Sequence, residues 1–174
     1  MSQSWDIVCA VVDNYGDAGV CWRLARQLAA EHGFTVRLII DDMASLAKLA
    51  PELDPDAPHQ ILAGVTVLQR EKAPADFAEV VIEAFGAPVP EPYLAAMVES
   101  PPLWINLEYL SAESWIEGCH RLPSPHPRLP LTQWFFYPGF TEQSGGLLRE
   151  RDLIERRDAF SAKDFAAFLD GLGV

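Results

Sequence analysis

Apolar residues recur along this chain in two rhythms. Residues 5–12 are an almost unbroken apolar run, the pattern of a buried strand. The next segment, 18–31, sets Val20, Cys21, Leu24, Ala25, Leu28 and Ala29 on one face and Arg23, Arg26, Gln27 and Glu31 on the other. That is the period of an amphipathic helix, and Gly33 after it suits a left-handed helix end. The spacing predicts further strands over 34–40, 65–68, 79–84, 103–107 and 134–137. It predicts helices over 43–49, 92–99 and 161–169, and one opening at Ser111-Ala112-Glu113-Ser114 toward Cys119. The Pro- and Asp-rich stretches 51–63 and 123–130 read as loop and irregular chain, and 144–150 as a flexible turn entering a charged helix. Trp104, Trp115 and Trp134 are expected in the core.

Strands alternating with helices imply an α/β fold, a Rossmann-like parallel sheet with helices on both faces. Ligands of such sheets bind outside the carboxyl ends of the strands. The candidates are therefore Asp13 to Asp17, Asp41-Asp42, Arg70, Glu83 to Gly86, Glu108-Tyr109 and Pro138 to Phe140. The domain is expected to occupy 1–150, with 151–174 a charged segment and helix beyond it.

The first strand-to-helix turn is the most unusual. Gly16 and Gly19 permit close backbone approach at a helix N-terminus, yet neither the dinucleotide glycine fingerprint nor the P-loop pattern is present. Asp13 and Asp17 stand there instead. Asp17 falls at the expected N-cap, where its oxygen would bond a free backbone N–H, and Asp13 at the strand end, so both face one crevice. Each is also a candidate to handle a cation or a proton. Asp41-Asp42 could bind a divalent ion or cap the next helix. Glu83 and Glu108 end buried strands and could clamp a cation or serve as rim hydrogen-bond acceptors.

With 174 residues, 49% of them hydrophobic, the chain can build one real core. No apolar run approaches the roughly 20 residues of a membrane-spanning helix. Met1-Ser2-Gln3-Ser4 lacks the basic start of a signal peptide. Three cysteines, Cys9, Cys21 and Cys119, without CxxC spacing fit a reduced, cytoplasmic protein. The net charge of −12 argues against a nucleic-acid partner and is compatible with a cationic one. Cys119, His120 and His126 lack the spacing of a zinc site, and no metal is expected.

Five blocks taken together resemble the bacterial elongation factor P arginine rhamnosyltransferases. The first is residues 12–26, beginning Val12-Asp13-Asn14-Tyr15-Gly16-Asp17-Ala18-Gly19. The others are Val81-Ile82-Glu83-Ala84-Phe85, Asn106-Leu107-Glu108-Tyr109-Leu110-Ser111-Ala112-Glu113, Leu122-Pro123-Ser124-Pro125-His126, and Pro138-Gly139-Phe140 with residues 144–150. The resemblance implies the N-terminal, acceptor-side half of a GT-B glycosyltransferase. It implies transfer of L-rhamnose from dTDP-β-L-rhamnose to an arginine of elongation factor P, with inversion and without a cofactor. Asp17 then matches the residue that serves as general base or guanidinium-activating carboxylate and Asp13 its essential acidic neighbour, with Asn14, Tyr15 and Gly16 in the loop the sugar end of the donor reaches. Gly19, Glu83 and Glu108 join them as candidate substrate contacts. Because the blocks match only the N-terminal half, the chain is read as a fragment, expected to bind acceptor weakly and to be inactive alone.

The alternative is a non-catalytic α/β binding module with an acidic pocket. A receiver domain would carry a phosphoacceptor Asp after its third strand and a Lys after its fifth. Arg70 and Glu108 stand there instead.

Overall fold

The first apolar run becomes β1 (Ser4–Cys9), its last four residues buried on both sides. In the computed structural model, which describes residues 2–13 and 15–171, it is a central strand of one eight-stranded sheet. The other strands are β2 (Thr35–Ile40), β3 (His59–Leu62), β4 (Val65–Gln69), β5 (Val80–Ala84), β6 (Leu103–Leu107), β7 (Pro123–Pro125) and β8 (Thr132–Phe136). Their order is β3-β4-β2-β1-β5-β6-β8-β7. Every pairing is parallel except the two at the sheet edges, β3 with β4 and β7 with β8. Taken alone, the six parallel strands run 3-2-1-4-5-6 in chain order, the doubly wound Rossmann arrangement. The order reverses between β1 and β5, which opens a crevice at their carboxyl ends.

Helices cover both faces. The helices α1 (Gly16–His32) and α2 (Met43–Leu49) close one core, where Ala18, Cys21, Trp22, Ala25, Met43 and Leu46 meet Ile7, Cys9, Leu38, Ile40 and Ile82. The helix α3 (Glu91–Glu99) closes the other, where Tyr93 and Met97 meet Val8, Ile39, Val81 and Trp104. The buried stripe of α1 is rotated from the predicted one. Trp22 is in the core, Leu24, Leu28 and Ala29 pack at its margin, and Val20 is exposed. Gly33 takes φ +67°, and its N–H reaches the Ala29 carbonyl at 3.1 Å, the left-handed ending the sequence predicts.

Four expectations need correction. Residues 51–63 hold strand β3 as well as loop, joined to β4 by Ala63-Gly64, both at positive φ (50° and 78°). That is the two-residue mirror-image turn of hairpins, and an alanine in its first position hides the signal. The proline-rich stretch 123–130 begins with β7, an edge strand, where a missing N–H costs no ladder bond. The helix expected from Ser111 is one turn, α4 (Ile116–Cys119). Of the three tryptophans, only Trp104 is buried; Trp115 is 55% and Trp134 42% exposed, β8 lying next to the sheet edge.

Residues 148–151 strap the outer face of α1. Arg23 forks onto Glu150 with two bonds of 2.5 Å and also donates to the Leu148 carbonyl; Gln27 donates to the Arg149 carbonyl, and Glu31 accepts from the Arg151 N–H. These side chains are three of the four on the polar face of the amphipathic pattern. Beyond the strap, α5 (Leu153–Ala159) and α6 (Ala162–Gly171) carry no buried residue. Among the described residues no helix is long and apolar enough to cross a membrane.

The Arg23 guanidinium holds the Glu150 carboxyl down to about 2, against an ordinary 4.5. A carboxyl depressed in the folded state adds stability above its unfolded value, and that stability fades as pH falls from about 4.5 toward 2. Glu150→Gln is therefore expected to flatten the acid limb of stability in this window, read as urea midpoint against pH. Coincident acid limbs for the variant and the parent would remove the strap from the account.

Candidate functional site

The chain leaves β1 at Cys9 and enters α1 at Gly16, so Ala10 to Asp13 and Tyr15 lie at the mouth of the switch-point crevice. The Gly16 N–H bonds the Asp13 carbonyl at 2.7 Å and closes the turn. A Cβ on Gly16 would lie 3.1 Å from Asp13 Oδ2, so the glycine lets the Asp13 side chain fold against the helix start. A Cβ on Gly19 would meet Leu49 of α2 at 3.5 Å, an ordinary contact, which places Gly19 at the α1–α2 approach. Asn14 lies outside the described residues.

Asp17 is not the N-cap. The helix starts two residues earlier, Tyr15 holds the cap position without a side-chain bond, and Asp17 sits in the first turn with 1% exposure. From there its carboxylate turns back toward the strand exit. Oδ2 accepts the N–H groups of Val12 and Asp13, both at 2.9 Å, and Oδ1 accepts the Tyr109 hydroxyl at 3.0 Å. One residue upstream, the Val11 N–H donates to Asp41 Oδ1 at 2.9 Å. Three successive backbone N–H groups thus point at the protein's own carboxylates. In a nucleotide-binding turn such N–H groups face a phosphate. Here Asp17 fills that seat.

Asp41 and Asp42 divide their work. Asp42 caps α2, accepting from the Ser45 N–H at 2.9 Å and its hydroxyl at 2.6 Å, and these bonds hold its carboxyl below the usual range. Tyr15 is 47% exposed, with Lys48 Nζ 5.6 Å above its ring.

Tyr109 and Phe85 complete this rim. Tyr109 follows β6, and its ring stacks on Phe85 at 4.3 Å and 14°. Phe85 follows β5 at φ +57°, a conformation uncommon for an aromatic residue, with its N–H bonded to the Leu107 carbonyl at 2.8 Å. Desolvation, then the bond to Asp17, pushes the Tyr109 phenol above its ordinary value, so it is a neutral donor at neutral pH. Beneath Asp17 the thiols of Cys9 and Cys21 are fully buried. Hydrogen bonding to Cys9 and burial push the Cys21 thiol well up, and the Asp17 charge adds to this.

The two glutamates are placed elsewhere. Ile82 and Ala84 face the α1 core and Val81 the α3 core, so alternation puts Glu83 on the α3 side of the sheet, away from Asp17. It accepts from the Val89 N–H at 2.8 Å and from Gln133 Nε2, and burial raises its carboxyl. Glu108 is half-buried beside Tyr109 and accepts from Asn106 Nδ2 at 3.1 Å. The structure thus gathers Asp13, Asp17, Tyr15 and Gly16 at one crevice mouth, with Glu108 one residue from Tyr109 and Glu83 on the opposite face. Among the described residues, no cluster of three or more His, Cys, Asp or Glu side chains could hold a metal ion.

Phe85, Tyr109 and Asp41 were not singled out by sequence reasoning as contacts of this turn. Their signal is positional: each lies at or just past the carboxyl end of a strand on either side of β1, and the parallel register of β2, β5 and β6 brings them to one rim.

These features define a Rossmann-type α/β domain whose switch-point turn is acidic and self-sealed where nucleotide-binding domains hold phosphate. Comparison with known proteins gives the family. The model for the elongation factor P (EF-P) rhamnosyltransferase EarP matches residues 5–174, and the chain belongs to that family. A protein-arginine rhamnosyltransferase of Pseudomonas putida is 54% identical over 100% of this chain and 48% of its own length. The Pseudomonas aeruginosa protein of the same name is 56% identical over 98% of this chain and 47% of its own. A solved structure from a study of EarP-mediated arginine glycosylation of EF-P is 35% identical, covering 99% of this chain and 37% of that one at a TM-score of 0.46. The chain spans about half the length of the curated relatives it matches.

Proposed function

We propose that this chain forms the acceptor side of a cytoplasmic protein-arginine rhamnosyltransferase of GT-B architecture. It would move L-rhamnose from dTDP-β-L-rhamnose to one arginine of EF-P, with inversion. The activity is assigned to the complete gene product, since the relatives named for it are about twice this length. The observation that carries the reading is the Asp17 carboxylate, fixed through Oδ2 by two backbone N–H groups, with Oδ1 held by the Tyr109 hydroxyl at the crevice rim.

An arginine guanidinium stays protonated at physiological pH and is a weak nucleophile. Charge-assisted hydrogen bonds from its N–H groups to Asp17 Oδ1 would orient one nitrogen toward the anomeric carbon. As the new C–N bond forms, the C–O bond to the diphosphate breaks and dTDP departs with the bonding pair. The nitrogen passes its extra proton to the carboxylate. A single displacement of this kind inverts the anomeric carbon. Asp13, beside Asp17 and exposed, adds negative charge that favours a cationic acceptor. Helix dipoles and side chains can meet the charge on the departing diphosphate, so the proposal invokes no metal or cofactor.

The test is acceptor and donor dependence. The complete gene product is expected to add one deoxyhexose to EF-P from dTDP-β-L-rhamnose, seen by intact mass, and none when the modified arginine of EF-P is replaced by lysine. Equal modification of the lysine variant would overturn the assignment of arginine as the acceptor.

A further inference from the structure

Oδ2 of Asp17 is bound by two backbone N–H groups that the turn cannot release without refolding. Its other oxygen has one described partner, the Tyr109 hydroxyl at 3.0 Å, and the residue as a whole is 1% exposed. As it stands, the carboxylate is closed to any incoming cation. Tyr109 differs from the other partners in three ways. It is a side chain on a strand-exit loop, it is 51% exposed, and its ring lies on Phe85 without being enclosed. It is the one described partner of Asp17 that can leave without disturbing the backbone.

We propose that Tyr109 is a shutter over Asp17. In the free protein its hydroxyl holds Oδ1, and the guanidinium of the acceptor displaces it, taking Oδ1 for itself. The exchange is favoured because a guanidinium donates charged, forked hydrogen bonds to a carboxylate, whereas a phenol donates one neutral bond. Phe85 gives the ring a surface to slide on, so the stack need not be lost when the hydroxyl moves. Tyr109 acts here as a positioning residue, through Asp17. The shutter keeps a buried carboxylate hydrogen-bonded between turnovers and admits only a donor that outcompetes a phenol.

This inference rests on the proposed arginine transfer, and Tyr109→Phe tests it in the complete gene product. The variant keeps the ring and the Phe85 stack and removes only the competing hydroxyl. The KM for EF-P is expected to fall about 3- to 10-fold, the range of one net hydrogen bond, with kcat within about twofold of the parent. A residue that merely supported the fold or oriented the base would instead lower kcat at constant KM. An NMR titration with N-acetyl-arginine amide is run beside the kinetics and should show tighter binding to the variant. An unchanged or raised KM, or loss of kcat, overturns the shutter. Transfer by the parent protein reports separately on the arginine reading. If the parent transfers nothing, the titration alone decides, and equal affinity of both proteins for the amide overturns the shutter.

Discussion

Asp17→Asn is expected to lower rhamnosyl transfer by about 10²–10⁴-fold while leaving the fold in place, the usual cost of losing a positioned base. The amide is nearly isosteric with the carboxylate. Its oxygen can accept the Val12 and Asp13 N–H groups, and its nitrogen can turn toward the Tyr109 oxygen. What it cannot do is accept the proton that the proposed mechanism passes from the attacking guanidinium nitrogen. Asp17→Ala would confound the result, because it removes the shared acceptor of the Val12 and Asp13 N–H groups and so loosens the turn itself. Near-wild-type turnover by the Asn variant, with unchanged thermal unfolding, would remove Asp17 from the chemistry.

The second large effect lies at the opposite end of β1. Asp6 is fully buried and binds Arg37 through both oxygens, at 2.6 and 2.7 Å, while also accepting the Ala78 N–H at 2.9 Å. Arg37 goes on to Asp76, and the two contacts, Asp6 foremost, push its guanidinium up. Asp6→Ala leaves a largely buried cation with only the exposed Asp76 as its partner and the Ala78 N–H without its acceptor. Breaking one side of such a pair costs about 3–5 kcal/mol, read as a loss of unfolding free energy in urea. Replacing both partners, Asp6→Leu with Arg37→Met, should recover most of it, because no charge is then left buried. A loss below about 1 kcal/mol for the single variant would mean that Arg37 swings into water.

What the sequence made legible was periodic. The apolar runs of β1, β2 and β4 and most of the amphipathic stripe of α1 face a core, so burial writes itself into the pattern. The edge strands did not show. His59–Leu62 alternates weakly, since one side of β3 faces solvent, and β7 is built partly of proline. The acidic turn was legible as chemistry because Asp13 and Asp17 occupy a place where glycine is expected. The hydrogen bonding of Asp17 was not. Capping is the common use of an aspartate at a helix start, and only a helix beginning at Gly16 turns the carboxylate back onto Val12 and Asp13. Tyr109 stands among the strand-end candidates, but its bond to Asp17 was hidden for a different reason. Its contact with Asp17 spans 92 positions and depends on β5 lying between β1 and β6, a property of topology that no local pattern carries.

The central claim is that the self-sealed carboxylate of Asp17 receives the acceptor arginine. The most direct measurement is the intact mass of EF-P after incubation with dTDP-β-L-rhamnose and the complete gene product, parent and Asp17→Asn side by side. The account predicts one added deoxyhexose with the parent and an unmodified EF-P with the variant over the same time. Equal modification by both would contradict it.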